Sequence, residues 1–409
     1  MKKIKNAILT CRSCNSKKLI KIINLGNLYL SDFVNNNTKP SRHPLSLILC
    51  QDCCLLQLKH NAPKSLLYTD NYGYKSGINQ TMQSELKEIT KKSLNKIKKS
   101  KEKIVAVDIG ANDGTLLKYY PKKIYRIGVE PIKKLAKEAR RYSDLIINDF
   151  FTYESISKIK KNIKADIITV ISCFYDMEDP NKFISDVKKI LKQDGILVIQ
   201  QNYLAEMLKQ NAFDNIVHEH LEYYSLLSLS NLLARHDLEV FDVELRDLNG
   251  GSFRTYISRK GIRKITSDVG EMKNREQKLN FNNKTVYLNF SKRIINNKIA
   301  LINFIKKEIK NDKRVYVYGA STRGNTLLQY FGLNNKLIKK AVERNSEKWG
   351  KKIASVGIPI ISEEQARKEK PDFMLVLPWF FKDEFLKRES NYLKSGGHFI
   401  FPLPKFKVI

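Results

Sequence analysis

Two histidines and two carboxylates crowd into His218-Glu219-His220-Leu221-Glu222, in a chain with only six histidines. Imidazole titrates near neutrality, and a neighbouring carboxylate can orient the ring and raise its basicity, so this cluster can move a proton. Its spacing is not His-Glu-x-x-His, which excludes the helical zinc-hydrolase arrangement. Two other uses stay open on the residues alone. His218 and His220 would share one side of an extended strand and could ligate a metal, or the cluster could simply supply hydrogen bonds at a turn.

A second group, Val105 to Gly114 (VAVDIGANDG), predicts a methyl-donor site. An apolar strand runs into Asp108. Gly110, Asn112, Asp113 and Gly114 then make a tight turn before a helix, and the glycines let the backbone approach a ligand closely. The acids would repel a pyrophosphate but suit a sulfonium with an amino-acid head, so the expected ligand is S-adenosylmethionine. A second strand, Ile124 to Val129, ends in Glu130, placed to accept ribose hydroxyls as acids at that point of doubly wound sheets do. Asn148, Asp149 and Phe150 are placed to flank an adenine. The run Ala165 to Phe174 (ADIITVISCF) reads as a buried parallel strand carrying Ser172 at its end, next to the donor. The competing reading is an ordinary nucleotide fold whose acids cap helices.

Cys11-Arg-Ser-Cys14 and Cys50-Gln-Asp-Cys53 are two Cys-x2-Cys pairs separated by residues 15–49. Four thiolates in that pattern suit a closed, structural zinc site, with Cys54 competing with Cys53 for the last position. Disulfides are the alternative, disfavoured if the protein is cytoplasmic.

These groups need a frame larger than one core, and 409 residues predict more than one domain. Apolar content is 42%, and no run is long enough to span a membrane. Cys11 and Cys14 interrupt any signal-peptide core, so a cytoplasmic location is expected. The balance of 74 Lys plus Arg against 42 Asp plus Glu, net +32, raises the alternative of a zinc-containing nucleic-acid-binding protein. The lysines, however, lie along helix faces with few interleaved aromatics, as a solvated surface would have them. The segment Tyr68 to Thr81 (YTDNYGYKSGINQT) bridges the cysteine module to a basic helix at 82–100. Tyr72 and Tyr74 share a side there if the bridge is extended. The hairpin at Asn249–Arg254 is expected to set Ser252 or Arg254 over the cleft, and one long basic helix is expected at 268–310. Beyond it, Arg314 to Gly319 leads into a second glycine turn (ASTRGNT) able to take a phosphate, followed by further strand-like runs.

Taken in order, CRSC, CQDC, YGYKSG, VAVDIGANDG, HEHLEYYS, NGGSFR, VYGASTRGN, VLPWFF and FPLP resemble the sugar C-methyltransferase family across essentially the entire chain. The resemblance implies an α/β protein: a zinc module (1–70), a Rossmann-like methyltransferase domain with bridge and catalytic segment (71–255), and a C-terminal Rossmann-like domain assisting substrate (256–409). It implies S-adenosylmethionine, a structural Zn2+ and a nucleotide-linked ketodeoxysugar substrate, in polysaccharide or metabolite biosynthesis. His220 is implied as the base next to the keto group, Glu219 as a partner of a sugar hydroxyl or the enediolate, and Tyr72 or Tyr74 as the substrate tyrosine. Two positions depart from the family. Val217 stands where a tyrosine is expected and Asp176 where a histidine is expected, with Tyr175 or Tyr223 available to compensate. O-methylation of a sugar or related polar metabolite is the alternative reaction, and the oligomeric state, monomer or dimer, stays open.

Overall fold

The computed structural model describes residues 7–36, 38–69, 74–98 and 102–409. Its centre is a seven-stranded sheet in the order Leu238–Arg246, Ser252–Arg259, Leu191–Asn202, Ala165–Ile171, Val105–Ile109, Tyr125–Val129, Leu145–Ile147. The last five are parallel to one another, and Ser252–Arg259 joins antiparallel. Helices cover both faces, so the inner strands are nearly all apolar and buried, as in Val105–Ile109 and Ala165–Ile171. From Val105–Ile109 the chain winds first to one side and then returns to the other. The crevice beyond the carboxyl ends of Val105–Ile109 and Ala165–Ile171 is therefore a switch point, where such sheets bind ligands.

The front module is a four-stranded sheet ordered Leu19–Tyr29, Arg42–Cys50, Leu56–Leu58, Glu222–Tyr223. Its last strand is lent by the segment that follows the histidine cluster, paired antiparallel as Glu222 to Gln57 and Tyr223 to Leu56. The C-terminal sheet is eight-stranded. Parallel strands Val315–Tyr318, Ala341–Glu343, Ile358–Ser362, Phe373–Val376 and His398–Phe401 form its body, and Phe33–Val34 of the front module closes one edge against Lys352–Ile353. The three sheets thus exchange strands and share one contiguous apolar core.

Two expectations change. The long basic helix is two helices, Ser267–Leu279 and Lys284–Lys310, because Asn280 takes a left-handed conformation that ends the first while the Asn283 side chain caps the second. The hairpin does not bring Ser252 or Arg254 to the cleft. Arg254 lies on an inner strand and is fully buried, donating to Glu85 (2.7 Å) and to Gln200 Oε1 (2.7 Å) with Glu88 and Glu244 alongside. A buried guanidinium is held only where such partners surround it. Ser252 Oγ is spent on the Leu248 carbonyl.

Candidate functional site

The donor turn is built by local necessity. Gly110 (φ +74°) and Gly114 (φ +81°) occupy the left-handed region, and a Cβ on either would collide, at 2.8 Å from Cys173 Sγ and 2.7 Å from the Ala139 Cα respectively. Glu130 closes the loop by accepting the Asn112 N–H on Oε2 and the Ile132 N–H on Oε1, each at 2.9 Å. Asp108 is buried and accepts from Thr169 Oγ1 at 2.6 Å. Burial pushes its carboxyl up to about 7, with Thr169 opposing and Glu130 adding to the rise. Burial likewise raises Glu130. Beyond these acids lies a cleft of about 390 Å³ whose wall includes Asp108, Gly110, Asn112, Glu130, Phe150 and Ser172. Its volume and mixed lining fit a ligand combining a charged amino-acid end with an aromatic base.

Three residues expected at this ligand lie outside that wall. Asp113 turns the other way: Oδ2 accepts the Gly77 N–H (2.8 Å) and Oδ1 the Thr115 hydroxyl (2.6 Å), so it ties the bridge to the donor turn. Gly114 packs against Ala139. Asp149 is exposed and accepts the Phe150 N–H. Asn148 donates to the Glu130 and Pro131 carbonyls and so fixes the end of the neighbouring strand.

A second cavity of about 300 Å³ adjoins the first, and Tyr74, Met82, Ser172 and Asp176 line both. Its floor carries Glu219, His220, Tyr175 and Val217, and its far wall is the second glycine turn, Gly319 to Arg323, with Glu343 to Asn345. His220 Nδ1 lies 2.9 Å from the Asn215 carbonyl oxygen, which can only accept, so Nδ1 carries the proton and Nε2 the lone pair. Burial, helped by the Arg323 charge, lowers the His220 pKa to about 3, while burial raises Glu219 to about 7. The Tyr175 ring sits 4.3 Å from the imidazole, centroid to centroid. Arg323 is anchored by the fully buried Asp214 (2.8 Å) and by the Asn249 carbonyl (2.6 Å). Asp176 Oδ2 accepts from Tyr68 at 3.2 Å, its Oδ1 is buried without a partner among the described residues, and burial raises its pKa well above the ordinary value.

His218 points away from both cavities. It is buried against the front sheet, with Nε2 3.1 Å from the His43 carbonyl oxygen, and burial lowers its pKa to about 4. The strand Glu222–Tyr223 begins only after His220, so His218 and His220 do not share a strand face. Tyr223 is buried too, its hydroxyl near the Asn215 carbonyl. Of the bridge tyrosines, Tyr74 lines both cavities and Tyr72 lies outside the described residues. Asp214 had no sequence signal of a site role, whereas Arg323 lies in the second glycine turn and Tyr68 in the bridge that the sequence singled out.

The sulfurs of Cys11, Cys14, Cys50 and Cys53 lie within 4.8 Å of one another, with Cys11–Cys53 at 3.6 Å and Cys14–Cys50 at 3.5 Å. Those separations are far too long for disulfides and close to the roughly 3.8 Å edge of a tetrahedron with Zn–S bonds of about 2.3 Å. Cys54 (φ +59°) stands outside the set, which leaves Cys53 as the fourth ligand. All four positions would be filled by sulfur, so the metal has no open site for chemistry.

Three family models match in series: a zinc binding domain over residues 11–68, a methyltransferase domain over 78–243 and a C-methyltransferase C-terminal domain over 247–404. The chain belongs to the C-methyltransferase family. Along its whole length this C-methyltransferase is similar to the C-methyltransferase NovU of Streptomyces niveus, with 28% identity covering 100% of this chain and 99% of that protein. A tRNA U34 carboxymethyltransferase of Campylobacter jejuni is 27% identical over 35% of this chain and 51% of its own length. Among solved structures, the plantazolicin methyltransferase BpumL in complex with SAH aligns at 13% identity over 43% of this chain and 82% of that chain, TM-score 0.35. The C-methyltransferase uses S-adenosylmethionine, and its four-cysteine cluster is a structural zinc site. Among the described residues, no helix is long and apolar enough to cross a membrane.

Proposed function

We propose that the acceptor is a nucleotide-linked ketodeoxysugar, methylated on the carbon next to its keto group. The observation that carries this is the junction of the two cavities at Tyr74, Met82, Ser172 and Asp176. A donor seated at the glycine turn and a sugar seated over His220 would meet there. A keto group makes the adjacent C–H acidic enough for an imidazole to remove its proton. His220 Nε2, whose lone pair is left free by the bond its other nitrogen makes to Asn215, takes that proton while the C–H electron pair moves toward the carbonyl oxygen. Glu219, with its pKa near 7, is partly protonated at neutral pH and can donate a hydrogen bond to the oxygen as charge develops on it. S-adenosylmethionine, held by the donor-turn residues, would supply the methyl as an electrophile on a sulfonium: the new C–C bond would form as the methyl–sulfur pair returns to sulfur, leaving a neutral thioether.

In this reading Asp108, Glu130, Asn112 and Ser172 hold the donor, with Gly110 giving close backbone approach and Phe150 beside the adenine. Asp113 and Gly114 support the turn from behind, and Asp149 holds the backbone of Phe150. Asp176 faces both ligands. The turn at Gly319–Arg323 heads the helix Thr322–Phe331 and, with Arg344, suits the phosphates of the nucleotide. The test is incubation with labelled S-adenosylmethionine and a panel of nucleotide-linked 4-ketodeoxysugars, locating the methyl by mass spectrometry and NMR. A C-methyl product next to the keto carbon, with solvent deuterium entering that carbon before transfer, is expected. An O-methyl product, or binding of donor with turnover of no ketosugar, would overturn the substrate assignment.

A further inference from the structure

Glu219 and His220 are the only two residues between two anchors on the zinc-bearing sheet. On one side, His218 Nε2 donates to the carbonyl of His43, on the strand that ends at Cys50. On the other, the Leu58 N–H donates to the Leu221 carbonyl at 2.8 Å, and Glu222–Tyr223 pair with Gln57 and Leu56. The same Leu221 donates its N–H to the Tyr175 carbonyl at 2.8 Å, beside the end of the donor-domain strand.

The anchoring strand is in turn bonded to the metal ligands. Gln57, fully buried, donates Nε2 to Cys11 Sγ at 3.2 Å and accepts the Arg12 N–H on Oε1 at 3.1 Å. Arg12, between the cysteines of the first pair, donates Nη1 to Gln57 Oε1 (3.3 Å) and to the Leu58 carbonyl (2.6 Å), and Nη2 to Asn61. A path of hydrogen bonds therefore runs from the thiolate of Cys11 through Gln57 and Leu58 to the peptide that carries the acceptor-site acid and base. Among the described residues no such path runs from the cysteines to the donor turn, which is held by Glu130 and Thr169 and, through Asn112 and Asp113, by the bridge at Ser76 and Gly77.

We infer that the zinc module is the positioning element of the acceptor site, with His218 and Gln57 as positioning residues, and that the donor turn keeps its form without the metal. The inference rests on the assignment of Glu219 and His220 to the acceptor site. Misplacing a reacting group by about 1 Å can cost about 100-fold in rate, so release of this two-residue span is read mainly in kcat.

The test compares the zinc-loaded protein with the chelated protein and with His218→Leu, His218→Gln and Gln57→Leu. Backbone hydrogen exchange is followed over residues 216–224 and over 108–116, donor affinity by calorimetry, and kcat and KM with a 4-ketodeoxysugar. Chelation and both leucine variants are expected to speed exchange over 216–224, leave 108–116 protected, and keep donor affinity within about twofold. Both leucine variants should retain zinc and lose about 100-fold in kcat at little changed KM. His218→Gln, whose amide can still donate to the His43 carbonyl, should recover most of the loss. Unchanged exchange over 216–224, or equal loosening of both segments, would overturn the inference, the second because the module would then merely support the fold. The exchange and affinity measurements need no sugar, so an error in the substrate assignment would show separately, as wild-type protein with normal protection and no turnover.

Discussion

Glu130→Gln separates two jobs that one carboxylate does at once. In the free protein each of its oxygens accepts one backbone N–H at 2.9 Å, from Asn112 and from Ile132. A glutamine amide has one accepting and one donating end, so one of these N–H groups must face an NH2. A buried donor left unsatisfied costs about 1–3 kcal/mol, and this cost is present with or without ligand, so it appears as a lowered melting temperature. The bond from a ribose hydroxyl to the charged carboxylate exists only in the complex, and hydrogen bonds to charged groups are worth about 1.5–3 kcal/mol. Its loss should weaken donor binding by roughly 10- to 150-fold. Calorimetric titration with S-adenosylmethionine or its demethylated product, beside thermal melting without ligand, measures both. A drop in melting temperature with affinity within about twofold of wild type would refute the ribose role and leave Glu130 as a clamp on the loop.

His220→Gln should lower methyl transfer by about 100- to 10,000-fold, abolish deuterium uptake at the sugar carbon, and leave donor affinity unchanged; retained deuterium uptake would remove His220 as the base. If protonated Glu219 donates to the developing oxyanion, kcat should fall as pH rises through about 7, and Glu219→Gln, which can donate at any pH, should keep activity and lose that limb. A rise in kcat over the same range would instead make Glu219 the base. Asp108 holds a proton in the folded chain up to about 7 against 3.8 for the free carboxyl, so the stability it contributes is full below about 4 and is lost as pH rises to about 7. Melting of ligand-free protein across that range should show the decline, and Asp108→Asn should reduce it. Cys53→Ser should lower zinc content and stability while Cys54→Ser leaves both intact, as read by metal analysis and melting.

Much of the site was legible because its chemistry is local. The turn at 108–114 takes glycine or asparagine where φ is positive, the acid Glu130 follows the second strand directly, and two Cys-x2-Cys pairs can close one tetrahedron, so residue type and spacing carry those assignments. Direction was less legible. Asp113 and Asp108 are both acids of one motif, yet one faces the cleft and the other holds Gly77, because the turn between them reverses the side chains. Arg254 was expected over the cleft beside its glycine hairpin, but Glu85 and Glu88 come from a helix remote in sequence, so nothing local could reveal its burial.

The sequence by itself determined the glycine turn and the metal ligands, since each depends on neighbours a few residues away or on a fixed ligand geometry. Tertiary structure decided which members of the His218–Glu222 cluster meet the cavities. His43, Leu58 and Asn215 orient that span through backbone carbonyls and amides, groups every residue possesses and no side-chain pattern can advertise.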